Sequence, residues 1–310
     1  VLGLDFHPSD SLVAACLVNG LAHCFQYNMK EEDVEADDYE ELLFMEHHRK
    51  SVRDIKFSVD GNALFTVSRD KSFASVDVET GKLLFHKEKA HGIAINRVHP
   101  ISYNWVATGD DMGRVKIWDS RMEKVVQKYE DNEDFIADML YVPEKKRLLV
   151  AGGDGYLSVF DVRRPDIVAR SDNFEDELLS LALVKNGAKV ICGSQGGILN
   201  IFHWDDWGDI KDRMPGHPSS IDTICAWDDD IVFTGSSDGL IRACHILPNK
   251  FIGCVGEHDH FPVEQIALTH DRRFLGSCSH DQSIRFWNVE AALNALMNEE
   301  DEEEEDEEDE

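Results

Sequence analysis

Basic residues are scarce in this chain, and other marks of common functional classes are missing too. The 310 residues contain 31 Lys and Arg against 61 Asp and Glu, a formal net charge of −30 at pH 7. No apolar run approaches the roughly 20 residues of a membrane-spanning helix, so we expect no membrane association. An acidic excess of this size disfavours a phosphate-binding surface, and we expect no direct nucleic-acid binding.

Paired cysteines and catalytic motifs are also lacking. The seven cysteines form no Cys-x-x-Cys pair and fall in apolar segments, so we interpret them as reduced, intracellular thiols that act as small hydrophobes. There is no nucleophile elbow, phosphate loop or paired-histidine metal helix. The nearby residues His258, His260, His270 and His280 are predicted in loops or at a strand end, which disfavours a metal site. We therefore expect no enzyme activity, cofactor or metal.

What the sequence does contain is a repeat, most clearly seen in residues 91–119. It opens at His91, continues through an apolar segment and a second one that ends in a turn near Asp111, and closes on the pair Trp118-Asp119. A histidine-bearing loop, three short apolar strands and a terminal Trp-Asp pair are typical of one blade of a WD-repeat β-propeller. Alignment on Trp118 gives seven units, each about 40 to 45 residues long.

The repeat predicts the domain organisation. We expect an all-β, seven-bladed WD-repeat β-propeller over residues 1–290, then a region of 291–310 that holds a short helix at 291–297 and an acidic tail. Seven units of four strands need 28 strands. The first unit, however, starts at its own first strand, and the seventh unit stops after its third strand. We therefore expect the closing outer strand to lie upstream of Val1, which leaves the strand at 283–289 with a free edge.

Much of the negative charge is concentrated in two segments. Residues 299–310 are twelve consecutive acids, whose removal leaves −18 for the rest, and residues 31–41 contain eight more. The cluster at 31–41 interrupts the first unit and is predicted to be an inserted loop. We interpret the tail as a disordered solubilising segment; the alternative is a contact for basic partners.

Histidine, hydroxyl, aspartate and tryptophan recur at fixed offsets, which predicts a buried hydrogen-bond network in several units. The aspartate of the turn is predicted to bond one ring nitrogen of the loop histidine, and the other ring nitrogen to bond a strand hydroxyl. The indole N–H of the tryptophan donates to the same hydroxyl. Each bond contributes roughly 1 kcal/mol to stability. Val76 and Cys244 replace the tryptophan in units two and six, and Met112 stands at the aspartate position of unit three. Units one, four and five lack the network. Its predicted members are His48, Thr66, Asp70, His91, Thr108, Trp118, His217, Thr234, Asp238, His258, Ser277, Asp281 and Trp287.

Recognition by a propeller resides in the loops around its central channel. We predict that three positions of each unit face the narrow rim. Two of them lie three and five residues after the histidine position, and the third lies just before the turn aspartate. Arg53, Arg69 and Phe135 are the predicted anchors, with both arginines solvated; the alternative for each position is a neutral rim residue. We expect a monomer. The predicted protein-binding rim comprises Arg53, Arg69, Asn96, Asp110, Phe135, Glu177, Gln195, Asp222, Glu264 and His280.

Short strings point to a particular family. They are SRDK (68–71), KAHG (89–92), ATGDD (107–111), IADM (136–139), SDGLIRA (237–243), ILPN (246–249) and HDQ (280–282). In this order the chain resembles the family of WD repeat-containing protein 55 over nearly all of residues 1–290. The resemblance implies a non-enzymatic scaffold of the nucleus and nucleolus, with the cytoplasm as a second location. It further implies ribosomal RNA processing, ribosome biogenesis, and partners among pre-ribosomal or nucleolar proteins.

A second functional hypothesis concerns two tetrapeptides. Trp118-Asp119-Ser120-Arg121 resembles the W-D-x-R box by which substrate receptors of cullin–RING ubiquitin ligases dock their adaptor. Phe160-Asp161-Val162-Arg163 repeats it one unit later, so Trp118, Asp119, Arg121, Asp161 and Arg163 are candidate adaptor-binding residues. The alternative is that Asp and Arg at a strand exit cap the turn.

Overall fold

The computed structural model describes residues 1–28 and 39–296. Most of the acidic segment at 31–41, the whole acidic tail at 299–310 and the last residue of the predicted helix lie outside the described residues. The two acidic-segment interpretations therefore stay predictions.

The described chain folds into seven antiparallel sheets, each made of strands consecutive in sequence. Blade 1 contains β1 (Gly3–Phe6), β2 (Leu12–Cys16), β3 (Ala22–Tyr27) and β4 (Tyr39–Met45). Blade 2 contains β5 (Val52–Phe57), β6 (Ala63–Ser68), β7 (Phe73–Asp77) and β8 (Leu83–Lys87). Blade 3 contains β9 (Ile95–Pro100), β10 (Trp105–Asp110), β11 (Val115–Asp119) and β12 (Lys124–Tyr129).

The remaining blades follow in the same way. Blade 4 contains β13 (Ile136–Val142), β14 (Arg147–Gly152), β15 (Leu157–Asp161) and β16 (Ile167–Arg170). Blade 5 contains β17 (Leu178–Val184), β18 (Lys189–Ser194), β19 (Ile198–His203) and β20 (Asp212–Pro215). Blade 6 contains β21 (Ile221–Ala226), β22 (Ile231–Ser236), β23 (Leu240–His245) and β24 (Lys250–Glu257). Blade 7 contains β25 (Val263–Leu268), β26 (Phe274–Ser279) and β27 (Ile284–Asn288).

The blades close into a ring, as the repeat predicts. The first strand of each blade contacts the first strand of the next, and β25 returns to β1. The first strands therefore surround a central channel. The seven-bladed propeller inferred from the unit count is confirmed.

Burial falls from the middle of each blade to its outer edge, and the sequence reflects this. Strand β22 is buried at every residue, because neighbouring blades cover both of its faces, and its sequence contains only apolar or small uncharged residues. The outer strand β12 instead alternates exposed and covered residues, because only one face packs on a neighbour. Large rings fill the spaces between blades: Phe73 of blade 2 packs against Trp118 of blade 3 with centroids 5.6 Å apart. Stacking of such faces provides most of the stability of the ring.

A second element ties the blades together at the channel, and we call it the belt. At each junction a polar side chain on one first strand forms a hydrogen bond with the backbone of the next. Six bonds run from an amide to a side chain: Phe57 to Asp5 (2.8 Å), Val98 to Asp54 (2.9 Å), Tyr141 to His99 (3.1 Å), Leu181 to Asp138 (2.8 Å), Ile266 to Thr223 (3.2 Å) and Leu4 to Gln265 (3.1 Å). The seventh runs from the Ser180 hydroxyl to the Ile221 carbonyl (2.9 Å).

Blade 7 has three strands among the described residues, and no described strand pairs with the free edge of β27. An upstream closing strand stays a prediction. The helix α1 spans residues 289–296, beginning two residues before the predicted start. Its buried side chains Val289 and Leu293 join an apolar cluster with Phe233 of blade 6, so the helix packs against blade 6. Within the described ranges, no helix has the length and apolar character needed to cross a membrane.

Candidate protein-binding site

The predicted hydrogen-bond network is formed in blade 7. Asp281 lies 2.8 Å from Nδ1 of His258, and Nε2 of that ring lies 2.7 Å from the Ser277 hydroxyl. The Trp287 indole N–H donates to the same hydroxyl at 2.8 Å. His258 is fully buried, so its two ring nitrogens have no access to water and depend on these partners.

Blade 3 has a complete network as well, and here the sequence prediction was wrong. Asp110, predicted as a rim residue, is fully buried and lies 2.8 Å from Nδ1 of His91. The His91–Thr108 and Trp118–Thr108 bonds complete the network at 2.7 and 2.8 Å. Asp110 is the last residue of β10 and stands two residues after Thr108, whereas Asp281 of blade 7 lies in the turn after β26, four residues after Ser277. Asp110 therefore supplies the carboxylate of the network in blade 3.

In blade 2 the network runs through an added residue. Nδ1 of His48 lies 2.6 Å from the Ser72 hydroxyl, which in turn donates to Asp70, while the direct His48–Asp70 distance is 3.7 Å. Thr66 lies 2.8 Å from Nε2 of His48, and it also contacts Nε2 of His47 at 2.9 Å. His47 thus takes the hydrogen bond that a tryptophan makes in blades 3 and 7.

In blade 6 the predicted aspartate bond is not formed. Nε2 of His217 lies 2.8 Å from the Thr234 hydroxyl, but its Nδ1 has no hydrogen-bond partner among the described residues. Asp238 instead forms a two-point ion pair with Arg242, with a shortest distance of 2.7 Å. A guanidinium four residues further along the chain is the stronger partner for a carboxylate, because it is charged and donates twice.

Several of the predicted rim residues lie together at one opening of the channel. Here a cavity of about 430 Å³, which we call the mouth cavity, is lined by predicted rim residues from five blades. These are Arg53, Asn96, Phe135, Asp222 and Glu264. Arg97, Leu2, Leu179 and Pro262 also line the cavity and were not predicted. Arg97 could have been predicted from the sequence, because it directly follows the predicted rim residue Asn96 on a first strand.

Arg53 is not the solvated anchor that the sequence suggested. Its guanidinium donates to Asn96 and to Asp111 at 2.6 Å, and only 27% of the side chain is exposed. Arg53 therefore spans blades 2 and 3 and already has an anionic partner. Arg69, in contrast, is exposed as predicted.

The carboxylates of the mouth cavity, Asp222 and Glu264, have different partners from its arginine Arg53. Asp222 accepts hydrogen bonds from the hydroxyls of Ser237 (2.5 Å) and Ser220 (3.3 Å), and Glu264 lies 3.0 Å from Nε2 of His280. No lysine or arginine in the described part of the chain forms an ion pair with either carboxylate. Burial is the main cause that raises the pKa of Asp222 and of Glu264 above their ordinary values.

Phe135 forms part of the cavity wall because a glycine lies beside it. A Cβ atom placed on Gly153 would come within 2.3 Å of the Phe135 ring. The backbone N–H of Gly153 also donates to the Phe135 carbonyl at 2.9 Å. Phe135 is therefore held in place, with its ring half-buried at the cavity edge.

Besides Asp110 and Arg69, three further predicted rim residues do not line the mouth cavity. Gln195 is exposed and its backbone N–H donates to the Glu177 carbonyl, while Glu177 is half-buried. His280 is exposed and reaches the site only through Glu264. Their role in binding a partner stays a prediction.

Deeper in the channel lies a second cavity of about 500 Å³, lined by six belt side chains, Asp5, Asp54, His99, Asp138, Thr223 and Gln265. Burial raises the pKa of Asp5 and Asp138, although Lys56 and Arg97 respectively oppose the increase. Because the belt side chains already accept backbone hydrogen bonds, they form a structural wall. Over residues 1–28 and 39–296, no group of three or more His, Cys, Asp or Glu side chains is placed to hold a metal ion.

The two W-D-x-R-like boxes lie on the face opposite the mouth cavity, because their strands β11 and β15 end there. Arg121 forms a two-point pair with Asp119 at 2.7 and 3.1 Å, and Arg163 does so with Asp161 at 2.6 and 2.8 Å. Each arginine also donates its backbone N–H to its own aspartate. The arginines lower the pKa of both aspartates. The pairs cap their turns, yet over half of each arginine side chain remains exposed.

Sequence comparisons agree with the architecture. The WDR55 family model matches residues 1–292. WD repeat-containing protein 55 from Bos taurus is 42% identical over 295 residues, which cover 95% of this chain and 76% of the bovine protein. The Arabidopsis thaliana protein of the same name is 39% identical over 297 residues, 94% of this chain and 81% of that protein. WD repeat-containing protein JIP5 from Coprinopsis cinerea is 41% identical over 302 residues, 94% of this chain and 72% of that protein.

Proposed function

The chain belongs to the WDR55 family of WD-repeat proteins, and from this premise we propose that it is a non-enzymatic scaffold for ribosomal RNA processing and ribosome biogenesis in the nucleolus. A WD-repeat propeller is suited to protein–protein interaction, since a rigid ring presents loops from several blades to one partner. The resemblance between the sequence strings and this family supports the nucleolar role.

One observation carries the proposal that the narrow rim is the primary binding surface. Side chains from five blades, Arg53, Asn96, Phe135, Asp222 and Glu264, meet around the mouth cavity. A half-buried aromatic ring beside charged and amide groups is the composition typical of a binding hot spot. The formal charge of −30 favours protein partners over RNA, because an acidic protein repels phosphates.

The test is affinity purification of the full chain from nucleolar extract with matched variants. Arg69→Glu/Phe135→Ala changes the rim at an exposed arginine and an aromatic wall. The control, Lys82→Glu/Tyr39→Ala, makes the same kind of change at exposed outer-strand and turn positions away from the rim. We expect the rim variant to lose pre-ribosomal proteins and to accumulate unprocessed ribosomal RNA precursors, and the control to keep both.

Two results would contradict the scaffold proposal. One is a rim variant that retains every partner while folded. The other is binding of structured ribosomal RNA by the wild-type chain with near-micromolar affinity at physiological salt, because that would make RNA the direct ligand.

A second candidate function is favoured by the boxes on the opposite face. Arg121 and Arg163 are held in the same geometry on consecutive blades with more than half of each side chain exposed. Two fixed cations of this kind would suit docking to a ubiquitin-ligase adaptor. Adaptor recovery by the wild type and its loss from Arg121→Ala/Arg163→Ala would support that role; no recovery by the wild type would reject it.

A further inference from the structure

The mouth cavity has the size of a ligand site and opens onto the surface where a partner would bind. Its volume of about 430 Å³ lies within the roughly 300–1,000 Å³ of small-ligand pockets. One wall is the Phe135 ring, and Leu2, Leu179 and Pro262 supply aliphatic surface. A protein segment on the rim could therefore insert one side chain into the channel entrance.

At this entrance the carboxylates without a guanidinium bound to them outnumber the guanidiniums without a carboxylate partner. Arg53 is matched by Asp111 at 2.6 Å and fixed to Asn96, and Arg97 uses its Nε to donate to the Ala137 carbonyl. Asp222 has only hydroxyl donors, and Glu264 has His280. Arg97 lies close enough to oppose the rise in the pKa of both carboxylates, but one guanidinium does not balance two carboxylates. A cationic side chain that enters the cavity would thus meet a net negative charge.

The walls favour a guanidinium over an ammonium. A guanidinium is planar and weakly hydrated, stacks on an aromatic face, and can bond a carboxylate at two points. An ammonium is strongly hydrated and would lose more hydration free energy against Phe135 and the aliphatic wall. A phosphate would face the two carboxylates and be repelled.

We propose that the mouth cavity binds the arginine side chain of an extended segment of a partner protein, with Asp222 and Glu264 as the anionic acceptors and Phe135 as the stacking wall. The inference rests on the proposed scaffold function, since it specifies the chemistry of the partner at the same rim. It assigns the partner class as a protein with an exposed arginine in a flexible segment.

The experiment is a titration of the full chain, followed by amide NMR at physiological salt, with three acetylated pentapeptide amides. Their sequences are Gly-Gly-X-Gly-Gly with X as arginine, citrulline or lysine. Citrulline keeps the shape of arginine and loses its charge. We expect shifts at the Gly153 and Ala137 amides, and at least tenfold weaker binding of the citrulline and lysine peptides than of the arginine peptide.

Matched variants locate the site. Asp222→Asn/Glu264→Gln removes two charges while keeping side-chain shape, and it should weaken the arginine peptide at least tenfold. Glu130→Gln/Glu133→Gln removes two charges from exposed residues in the loop that leads to Phe135, and it should bind within twofold of wild type. Phe135→Leu keeps an apolar wall without the ring and should weaken binding severalfold. Unchanged thermal midpoints show that the variants are folded.

Equal binding of the arginine and citrulline peptides, or wild-type affinity in Asp222→Asn/Glu264→Gln, would overturn the assignment. Equal weakening by the Glu130→Gln/Glu133→Gln control would also overturn it, because the attraction would then be a general effect of net charge. Failure of the peptides together with partner loss by the rim variant in extracts would reject the arginine assignment and leave the scaffold proposal intact. Binding of the arginine peptide together with retention of every partner by the rim variant would support the arginine assignment and reject the scaffold proposal.

Discussion

Asp110 and Asp111 are adjacent carboxylates with opposite environments, and their replacement by alanine provides a sharp test of the blade network. Asp110 is fully buried and accepts three hydrogen bonds, from His91 Nδ1 (2.8 Å) and from the backbone N–H groups of Met112 and Arg114 (3.0 Å each). Asp111 has a side chain that is 29% exposed and makes one ion pair with Arg53. We expect Asp110→Ala to be much the more destabilising change.

The magnitude follows from the groups that lose a partner. The side chain of His91 is fully buried, so removing its acceptor leaves an unpaired N–H, at a cost of about 1 to 3 kcal/mol in the free energy of unfolding. The two turn amides add about 0.5 kcal/mol each, because water can replace part of their bonding. Asp110→Ala should therefore cost about 2 to 4 kcal/mol. The pair lost in Asp111→Ala is only partly buried, so water screens it and it contributes about 1 kcal/mol.

The protonation state of Asp110 supports this expectation. Desolvation by burial tends to raise its pKa, but the bond from His91 and those from the amides of Arg114 and Met112 outweigh it and lower the pKa below the ordinary value. Asp110 is therefore an anion in the folded protein at neutral pH. Asp110→Asn keeps the shape and one acceptor oxygen but removes the charge, so its loss of stability should fall between those of the two alanine variants.

The assay is urea unfolding at pH 7, followed by circular dichroism and tryptophan fluorescence, with thermal scans in parallel. A difference of about 2 kcal/mol between the alanine variants corresponds to about 3 °C in thermal midpoint for a chain of this size, because the entropy of unfolding is about 2.1 cal/mol/K per residue. Equal midpoints, or a larger loss from Asp111→Ala, would refute the reasoning, because the hydrogen bond between Asp110 and His91 would then contribute nothing net.

Three further outcomes are expected. Ser72→Ala should cost about 1 to 3 kcal/mol of unfolding free energy, because it breaks the relay that serves buried His48; a neutral result in urea unfolding would exclude the relay. Burial lowers the pKa of His99 to about 3, so the unfolded chain gains the proton first and stability falls as pH drops below about 6.5. His99→Gln should remove about 1.4 kcal/mol per pH unit from that slope between pH 6 and 5, and an unchanged slope would show that His99 is not held neutral. Gln265→Ala should speed hydrogen exchange at the Leu4 amide more than at other belt amides, and uniform exchange would contradict a local role.

The fold could be predicted from the sequence because the repeat is a matter of spacing. His258, Ser277, Asp281 and Trp287 stand at offsets that only a blade explains, and the structure joins them by hydrogen bonds. Asp110 failed the same test, because its carboxylate comes from the end of β10, two residues after Thr108, whereas that of Asp281 comes from the turn, four residues after Ser277. A fixed offset assumes that the carboxylate always comes from the same position of the blade, and in blade 3 a different position supplies it.

The candidate site was predicted only in part, for a different reason. Phe135, Asp222 and Glu264 were found because first-strand residues face the channel mouth in every blade. The partners of Arg53 were missed because Asn96 and Asp111 lie 43 and 58 residues away, a pairing that depends on the angle between blades. The sequence does carry a signal for the belt, because the belt side chain is the third residue of six first strands, as at Asp54 and Asp138.

The belt also bears on the order in which the ring assembles. Six of its bonds join residues 41 to 52 positions apart, each within one blade step, but Leu4 and Gln265 are 261 positions apart. Loop-closure entropy grows only with the logarithm of loop length, so this last bond costs about 1.5 kcal/mol more to close than the others. Its chemistry is no stronger than theirs. From chain connectivity we therefore expect the junction of blades 7 and 1 to form last and to open first.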